Sequence, residues 1–230
     1  IKIADSVSKE IASEFLATDS VKEYNQVKVI RAMQNNNVSD THFNGTTGYG
    51  YDDRGRDVLD CVYRDVFKAE DALVRHQIVS GTHALALCLF GNLRPGDELL
   101  SVVGKPYDTL EEGIGIRGEG GGSLKEFGVT YNQVDLLEDG SLDYKSIEKA
   151  INSKTKMVLL QRSRGYEWRS SFTIDEIEKV IGFIKEIKSD VLVLVDNCYG
   201  EFVESREPIE VGADLAAGSL IKNPGGGIAP

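Results

Sequence analysis

A lysine near the end of the chain has the surroundings of a reactive amine. Lys222 follows Ala217-Gly218-Ser219-Leu220-Ile221 and precedes Asn223-Pro224 and three glycines. The small residues on both sides leave room for a bulky planar group, and Ser219 adds a hydroxyl three residues earlier. Burial at such a place lowers the pKa of a lysine and frees its amine to form an imine with an aldehyde. We therefore predict that Lys222 is a nucleophile with a lowered pKa.

Two other polar groups suit a ligand bound to such an amine. Asp196 ends the aliphatic run of residues 191–195, where its carboxylate can pair with a protonated ring nitrogen. Ser80-Gly81-Thr82 leads into an apolar helical pattern, and backbone N–H groups at a helix start bind phosphate. An amine, a carboxylate and a phosphate turn are the anchors that pyridoxal phosphate requires. The simpler interpretations are a helix cap for Ser80 and a turn residue for Asp196.

Tyr107, which follows Gly104-Lys105-Pro106, is a candidate for contact with the same ligand. Its ring could stack on a planar cofactor, and its hydroxyl could transfer a proton. The alternative is a half-buried tyrosine that only packs. The sequence predicts no metal site, because its three histidines are scattered and none pairs with a cysteine at the spacing of metal ligands.

Hydrophobic periodicity places these residues on alternating helices and strands. Apolar positions at helical spacing predict one or two helices within residues 6–33 and further helices at 56–69, 82–91, 108–113, 143–152 and 173–188. Short apolar runs predict strands at 74–79, 98–103, 129–134, 156–161, 191–195 and 214–218. Thr173, with Glu176 three residues on, predicts a capping box at the start of the last helix. Residues 34–55 are polar and glycine-rich, which predicts a long loop.

The alternation predicts an α/β fold, a mostly parallel sheet with helices on both faces. Such a sheet binds its ligand at the carboxyl ends of its strands. Ser80-Gly81-Thr82, Tyr107, Asp196 and Lys222 each follow a predicted strand. We therefore expect residues far apart in the sequence to converge on one edge of the sheet.

The composition is that of a globular protein and argues against several classes of partner. With 230 residues, 41% of them hydrophobic, the chain is long enough to bury one core. A net charge of −11 argues against nucleic acid or an anionic membrane as a partner. No apolar run approaches the roughly 20 residues of a membrane helix, and the N-terminus lacks a signal-peptide pattern. Three widely spaced cysteines predict free thiols, and the protein is expected in the cytoplasm.

Several stretches of the sequence resemble one enzyme family. They are Ser-Asp-Thr-His-Phe (39–43), Thr-Thr-Gly-Tyr-Gly-Tyr-Asp-Asp (46–53), Ser-Gly-Thr-His-Ala-Leu (80–85), Gly-Asn-Leu-Arg-Pro-Gly-Asp-Glu (91–98) and Gly-Lys-Pro-Tyr-Asp-Thr-Leu-Glu-Glu (104–112). With Asp-Asn and Ser-x-x-Lys after them, the order is similar to that of fold-type I pyridoxal-phosphate enzymes of the cystathionine and methionine lyase group. These stretches most resemble the bacterial "aluminium resistance", methionine gamma-lyase-like branch, and the resemblance covers essentially the whole chain.

The resemblance implies a role for each candidate residue. Lys222 would bind the cofactor aldehyde as a Schiff base, and Asp196 would hold the pyridine nitrogen. Ser80-Gly81-Thr82, together with Ser219, would hold the phosphate. Tyr107 would stack on the ring.

The resemblance also implies an assembly. Tyr51, and with it Arg54, would reach the phosphate of a neighbouring subunit, which makes the protein a homodimer or homotetramer with a shared active site. Residues 1–55 would form N-terminal helices and an intersubunit loop, and residues 56–230 the cofactor-binding large domain. The family continues past its lysine into a small C-terminal domain that supplies an arginine for the substrate carboxylate, so we expect this chain to be part of a longer protein.

The sequence departs from the lyases at two places near the cofactor ring. Cys198 stands where the lyases carry serine or threonine facing the ring, and Gln161-Arg162-Ser163-Arg164-Gly165 stands where they carry an asparagine near the ring oxygen. Reaction specificity is sensitive to both places. The predicted function is a pyridoxal-phosphate-dependent carbon–sulfur lyase acting on a sulfur-containing amino acid, with Tyr107 protonating the leaving thiolate. The alternatives are transamination, decarboxylation or racemisation of amino acids, or a non-catalytic cofactor-binding stress protein.

Overall fold

A computed structural model describes residues 1–47, 49, 51–118 and 121–225. The α-helices are α1 (Lys2–Glu10), α2 (Ala12–Asn35), α3 (Arg54–Phe67), α4 (Gly81–Asn92), α5 (Asp108–Ile114), α6 (Tyr144–Ala150) and α7 (Ile174–Ile187). The strands are β1 (Glu98–Ser101), β2 (Thr130–Gln133), β3 (Thr155–Gln161), β4 (Leu192–Asp196) and β5 (Leu215–Ala217). Short 3₁₀ helices span Asp40–Phe43 and Pro208–Val211. The chain forms two compact units: Ile1–Arg75 with Phe202–Ser205, and His76–Glu201 with the residues from Arg206 onward.

The first unit is a helical layer built on α2 and α3. Its small core contains Ala32, Val62 and Val66, and the Phe67 ring packs on Phe202 with centroids 5.5 Å apart. The buried Asn25 Nδ2 donates to the carbonyl oxygens of residues 202 and 204, at 3.1 and 3.0 Å. These bonds hold the 202–205 segment against α2.

The glycine-rich loop before α3 is fixed at its end by a single carboxylate. Asp53 accepts the Thr46 hydroxyl at 2.7 Å and the backbone N–H of Arg56 at 3.2 Å, and it pairs with the Arg56 side chain at 2.8 Å. The bond from Thr46, above all, lowers the pKa of Asp53. Asp53 is thus the N-cap of α3, which explains why this helix begins two residues earlier than predicted.

The second unit contains a five-stranded sheet in which every pairing is parallel, in the order β2-β1-β3-β4-β5. Side chains of successive residues on β3 enter different cores. Val158 and Leu160 pack with α6 and α7, whereas Met157 and Leu159 pack with α4 and α5. The sheet therefore has helices on both faces, and the predicted α/β fold class is confirmed.

Local signals account for most of the element boundaries. Thr173 is the N-cap of α7 and forms the predicted capping box with Glu176, whose carboxylate accepts the Thr173 backbone N–H at 2.8 Å. β3 and β4 are almost entirely buried, as expected for aliphatic strands in the middle of a parallel sheet. The N-terminal pattern forms two helices, α1 and α2.

The predicted strand at 74–79 is wrong, since these residues form turns and irregular backbone. The reason is that two of its backbone N–H groups donate to side chains instead of to a neighbouring strand. The N–H of Val74 donates to Asp60 Oδ1 at 2.8 Å, and the N–H of Val79 donates to His83 Nδ1 at 3.3 Å. Within the described ranges, no helix combines the length and the apolar character needed to cross a membrane.

Candidate active site

The carboxyl ends of three neighbouring strands lie side by side in the second unit. In the pairing register, Gln161 at the end of β3 lies opposite Asp196 at the end of β4, and Asp196 lies opposite Ala217 at the end of β5. The segment that carries Ser219 and Lys222 leaves β5 directly from this level. The parallel sheet thus brings a carboxylate, an amide and an amine to one edge.

Asp196 is a buried acid with few compensating donors. It is 6% exposed, and its Oδ1 accepts the backbone N–H of Cys198 at 3.1 Å. Burial raises the pKa of Asp196, while the Cys198 donors and the charge of Lys222 oppose this rise. A buried carboxyl group of this kind ionises more readily when a cation approaches it.

The Lys222 amine contacts a tyrosine that follows Asp196. Its Nζ donates to the Tyr199 hydroxyl at 2.9 Å and lies 4.1 Å from the centroid of the Tyr199 ring. The hydrogen bond to Tyr199 is the main reason that the pKa of Lys222 is raised. The prediction of a lowered pKa is therefore wrong for the chain alone, because the lysine is only half-buried and its ammonium group has an acceptor. Of its glycine-rich surroundings, Gly226 and Gly227 lie outside the described residues.

The start of α4 lies against the turns that follow β4 and β5. A Cβ at Gly81 would lie 2.9 Å from Cys198 Sγ and 3.5 Å from Ser219 Cβ, so glycine permits this approach. Ser80 is the N-cap of α4, and its hydroxyl accepts the N–H of His83 at 3.1 Å. The first-turn N–H groups of a helix have no intrahelical acceptor, which makes this end of α4 suited to an anion.

Thr82, in the predicted phosphate turn, and Cys198, which replaces the serine or threonine of the lyases, both have close neighbours. The Thr82 hydroxyl lies 2.7 Å from the hydroxyl of Thr109 on α5. The Cys198 thiol is free, and burial, followed by the charge of Asp196, raises its pKa. Cys198 is therefore a neutral thiol beside Asp196 and Gly81.

Tyr107 precedes α5 and is held by a second tyrosine. Its ring centroid lies 5.8 Å from that of Tyr166, and the hydrogen bond with Tyr166 is the largest of the effects that raise the pKa of Tyr107 to about 12. A Cβ at Gly165 would lie 3.5 Å from the Tyr107 ring. Tyr107 therefore keeps its proton throughout the neutral pH range.

Tyr51 and Arg54 belong to the first compact unit. The exposed Tyr51 ring stacks on Tyr49 with centroids 6.0 Å apart, and Arg54 is the first residue of α3. Gly48 and Gly50, which lie in the same loop, are outside the described residues. The contact of Tyr51 and Arg54 with a neighbouring subunit stays a prediction.

A buried network behind the sheet edge was not predicted from the sequence. Arg162, next to Gln161, is 1% exposed, and its Nη1 donates to Asn197 Oδ1 at 3.0 Å and to the Gly200 carbonyl oxygen at 2.7 Å. Asn197 Nδ2 in turn donates to the fully buried Glu207 at 3.0 Å. The network braces the residues adjacent to Gln161 and Asp196. The arginine directly after an aliphatic strand was the available signal.

The groups at this edge fit pyridoxal phosphate. Asp196 has no ion-pair partner within 4.0 Å among the described residues, although it is buried. Gln161 Oε1 is also buried and without a partner in the described part of the chain, so it is free to accept a hydrogen bond. Gly81, at the start of α4, lies close to Ser219, and Lys222 supplies an amine. The donor set therefore matches a ligand with a protonatable ring nitrogen, a hydroxyl, an aldehyde and a phosphate.

The chain is similar to proteins of known sequence and structure. It is 57% identical to the uncharacterized protein YnbB of Bacillus subtilis over 229 residues, which cover 99% of this chain and 54% of that protein. A crystal structure from Listeria innocua, of a protein provisionally named a cystathionine beta-lyase involved in aluminum resistance, is 59% identical, with a TM-score of 0.97 over 99% of this chain and 56% of that chain. The chain thus spans about half the length of these relatives.

A more distant structural likeness concerns the fold alone. The pyridoxal-5'-phosphate-dependent protein YhfS of Escherichia coli is 20% identical, with a TM-score of 0.64 over 87% of this chain and 51% of that chain. The parallel α/β fold described above is therefore shared with YhfS. The family is shown by the sequence itself, because the family model described as methionine gamma-lyase matches residues 1–230. The chain belongs to the methionine gamma-lyase family.

Proposed function

We propose that the protein is a pyridoxal-phosphate-dependent carbon–sulfur lyase that acts on a sulfur-containing amino acid. The observation that carries the proposal is the convergence of Asp196, Lys222 and the start of α4 at Gly81 on one edge of a parallel sheet. Membership of the methionine gamma-lyase family and the provisional name of the Listeria innocua relative support the reaction class.

The cofactor would be held at its two ends by different elements. The carboxylate of Asp196 would hold the protonated ring nitrogen, because a buried acid gains most from a cationic partner. The first-turn N–H groups of Gly81 and Thr82, with the Ser80 and Ser219 hydroxyls, would hold the phosphate. When bound, pyridoxal phosphate supplies an aldehyde for amines and a ring that takes up the electrons released at the α-carbon of the substrate.

The chain's own residues would then move the protons. Lys222 would take the α-proton of the substrate on Nζ. Tyr199 lies within hydrogen-bond distance of that nitrogen and keeps it near the sheet edge. Tyr107 is protonated at pH values below its pKa of about 12. It would donate this proton to the thiolate that leaves when the carbon–sulfur bond breaks. Cys198, a neutral thiol that hydrogen-bonds Asp196, would pack beside the ring.

Two further parts of the proposal concern the assembly and its location. We propose a cytoplasmic homodimer or homotetramer in which Tyr51 and Arg54 of one subunit approach the phosphate of the next. The exposed, stacked rings of Tyr49 and Tyr51 support this proposal, since exposed aromatic rings favour protein contacts.

The test is turnover of an amino-acid panel by the intact protein loaded with pyridoxal phosphate. L-Methionine and cystathionine should yield a thiol or thiol-containing product, a 2-oxo acid and ammonia in equal amounts. Lys222→Ala should abolish all three products. Lys145→Ala, a change at an exposed lysine of α6, should leave them unchanged. A 2-oxo acid without thiol would indicate transamination instead, and bound cofactor without turnover of any amino acid would indicate a non-catalytic protein.

A further inference from the structure

The turn after β4 contains a buried carboxyl group that the proposed reaction does not use. Glu201 is 2% exposed, and its Oε1 accepts the backbone N–H of Ser219 at 3.0 Å. Its Oε2 is buried and finds no hydrogen-bond partner among the described residues. A buried carboxyl oxygen without a hydrogen-bond partner destabilises the folded chain, so its presence calls for an explanation.

The backbone that carries the cofactor lysine passes directly over this carboxyl group. A Cβ at Gly218 would lie 2.6 Å from Glu201 Oε1, so the close approach requires glycine. Five residues later, Asn223 Nδ2 donates to the carbonyl oxygens of Glu201 at 2.8 Å and Tyr199 at 3.0 Å. Both ends of the 218–223 segment are therefore bonded to the turn formed by residues 199–201.

The charges around Glu201 favour its neutral form. Burial is the main cause of its raised pKa, and the carboxyl groups of Glu207 and Asp196 raise it further. The other titratable neighbours are the neutral thiol of Cys198 and the ammonium group of Lys222, whose own pKa Glu201 helps to raise. An ionised carboxylate could accept about four hydrogen bonds, and Ser219 supplies the only one from another residue of the described chain.

We propose that Glu201 is a positioning residue whose carboxyl group fixes the 218–223 segment, and with it Ser219 and Lys222, at the edge of the sheet. Its consequence for cofactor binding rests on the proposed function, whereas the bond to Ser219 belongs to the chain itself. A carboxyl group and a carboxamide share their shape and an oxygen that accepts a hydrogen bond. Glutamine should therefore replace Glu201, and alanine should not.

The first test measures backbone hydrogen exchange by mass spectrometry in the intact, cofactor-free protein. In Glu201→Ala, the peptide that contains residues 218–223 should exchange about three- to tenfold faster, the loss expected for one hydrogen bond. Glu201→Gln should stay within about twofold of the wild type, which is less than one such bond. Glu186→Ala removes an exposed carboxylate from α7 and should change nothing in this peptide.

Each outcome decides the proposal. Unchanged exchange in Glu201→Ala overturns the anchoring, and equal acceleration in Glu201→Gln shows that the acceptor oxygen does not suffice and overturns the proposal. If Glu201→Ala also loses protection in β3, it has unfolded, and Glu201→Gln then decides alone: wild-type exchange supports the proposal and faster exchange overturns it.

A second measurement separates this proposal from the proposed function. Pyridoxal phosphate attached to Lys222 is reduced with borohydride and quantified by mass spectrometry. Attachment should fall in Glu201→Ala and remain in Glu201→Gln. Absence of attachment in the wild type would refute the proposed function, and the exchange experiment, which needs no cofactor, would still support or overturn the role of Glu201.

Discussion

Replacing Gly81 by alanine tests the closest packing in the candidate site. The new Cβ would lie 2.9 Å from Cys198 Sγ, well inside ordinary contact, and 3.5 Å from Ser219 Cβ, which is ordinary contact. Forcing a methyl group into such a place costs about 1–3 kcal/mol. Alanine in a helix is otherwise more favourable than glycine by about 0.5–1 kcal/mol. The net change in the free energy of unfolding is then a loss of up to about 2.5 kcal/mol.

The same substitution should change sign when the sulfur is absent. In a Cys198→Ala background the obstructing atom is gone, so Gly81→Ala should stabilise the protein by up to about 1 kcal/mol. The coupling energy between the two positions should therefore be about 1–3 kcal/mol. Gly91→Ala is the matched control, because Gly91 lies in the same helix and its added Cβ would meet nothing within 4 Å.

The assay is urea unfolding of the intact, cofactor-free protein in the wild type, the two single variants, the double variant and Gly91→Ala. Gly91→Ala should be more stable than the wild type, and Gly81→Ala less stable. If Gly81→Ala were as stabilising as Gly91→Ala, or if its effect were the same with and without Cys198, the close approach of α4 to the turn after β4 would be refuted.

Asp196→Asn keeps the shape of the side chain and removes its charge, so α-proton exchange of a bound amino acid, followed by NMR, should slow by at least about 10²–10³-fold; exchange at the wild-type rate would make Asp196 a structural residue. Tyr199→Phe removes the acceptor that raises the pKa of Lys222, so the pKa of Lys222 should fall. At a pH below this pKa a larger fraction of the amine is then neutral, and imine formation with pyridoxal phosphate should be faster. An unchanged pH–rate profile would contradict the contact between Lys222 and Tyr199. Tyr51→Phe with Arg54→Ala should weaken cofactor retention in equilibrium dialysis, and sedimentation of the wild type should show no monomer at micromolar concentration; a stable monomer with normal retention would contradict the intersubunit loop.

The central strands of the sheet were predictable because each is a short aliphatic run in the sequence. Residues 156–161 and 191–195 are aliphatic runs bordered by polar residues, and the structure places strands at Thr155–Gln161 and Leu192–Asp196. The stretch at 74–79, in which only Val74, Ile78 and Val79 are apolar, gave a weaker signal and failed. Asp60 and His83 accept backbone N–H groups at its two ends. Side-chain acceptors of backbone N–H groups are not visible in a hydrophobic pattern.

The candidate site was predictable where residue type and strand end coincide. Asp196 follows a buried strand, so parallel pairing brings it to the same level as Gln161 and Ala217. The pKa of Lys222 was not predictable, since it depends on a hydrogen bond to Tyr199, a residue 23 positions earlier. Glu201 escaped notice for the same reason, because only the folded chain shows that it is buried under the 218–223 segment.

Covalent attachment of pyridoxal phosphate tests the central claim most directly. The intact protein is incubated with the cofactor, reduced with borohydride, denatured and digested, and the peptides are weighed by mass spectrometry. We expect a pyridoxyl group on Lys222 in the wild type and in Lys145→Ala, and none in Lys222→Ala. A label on another lysine, or an unlabelled wild-type protein, would contradict the role of Lys222.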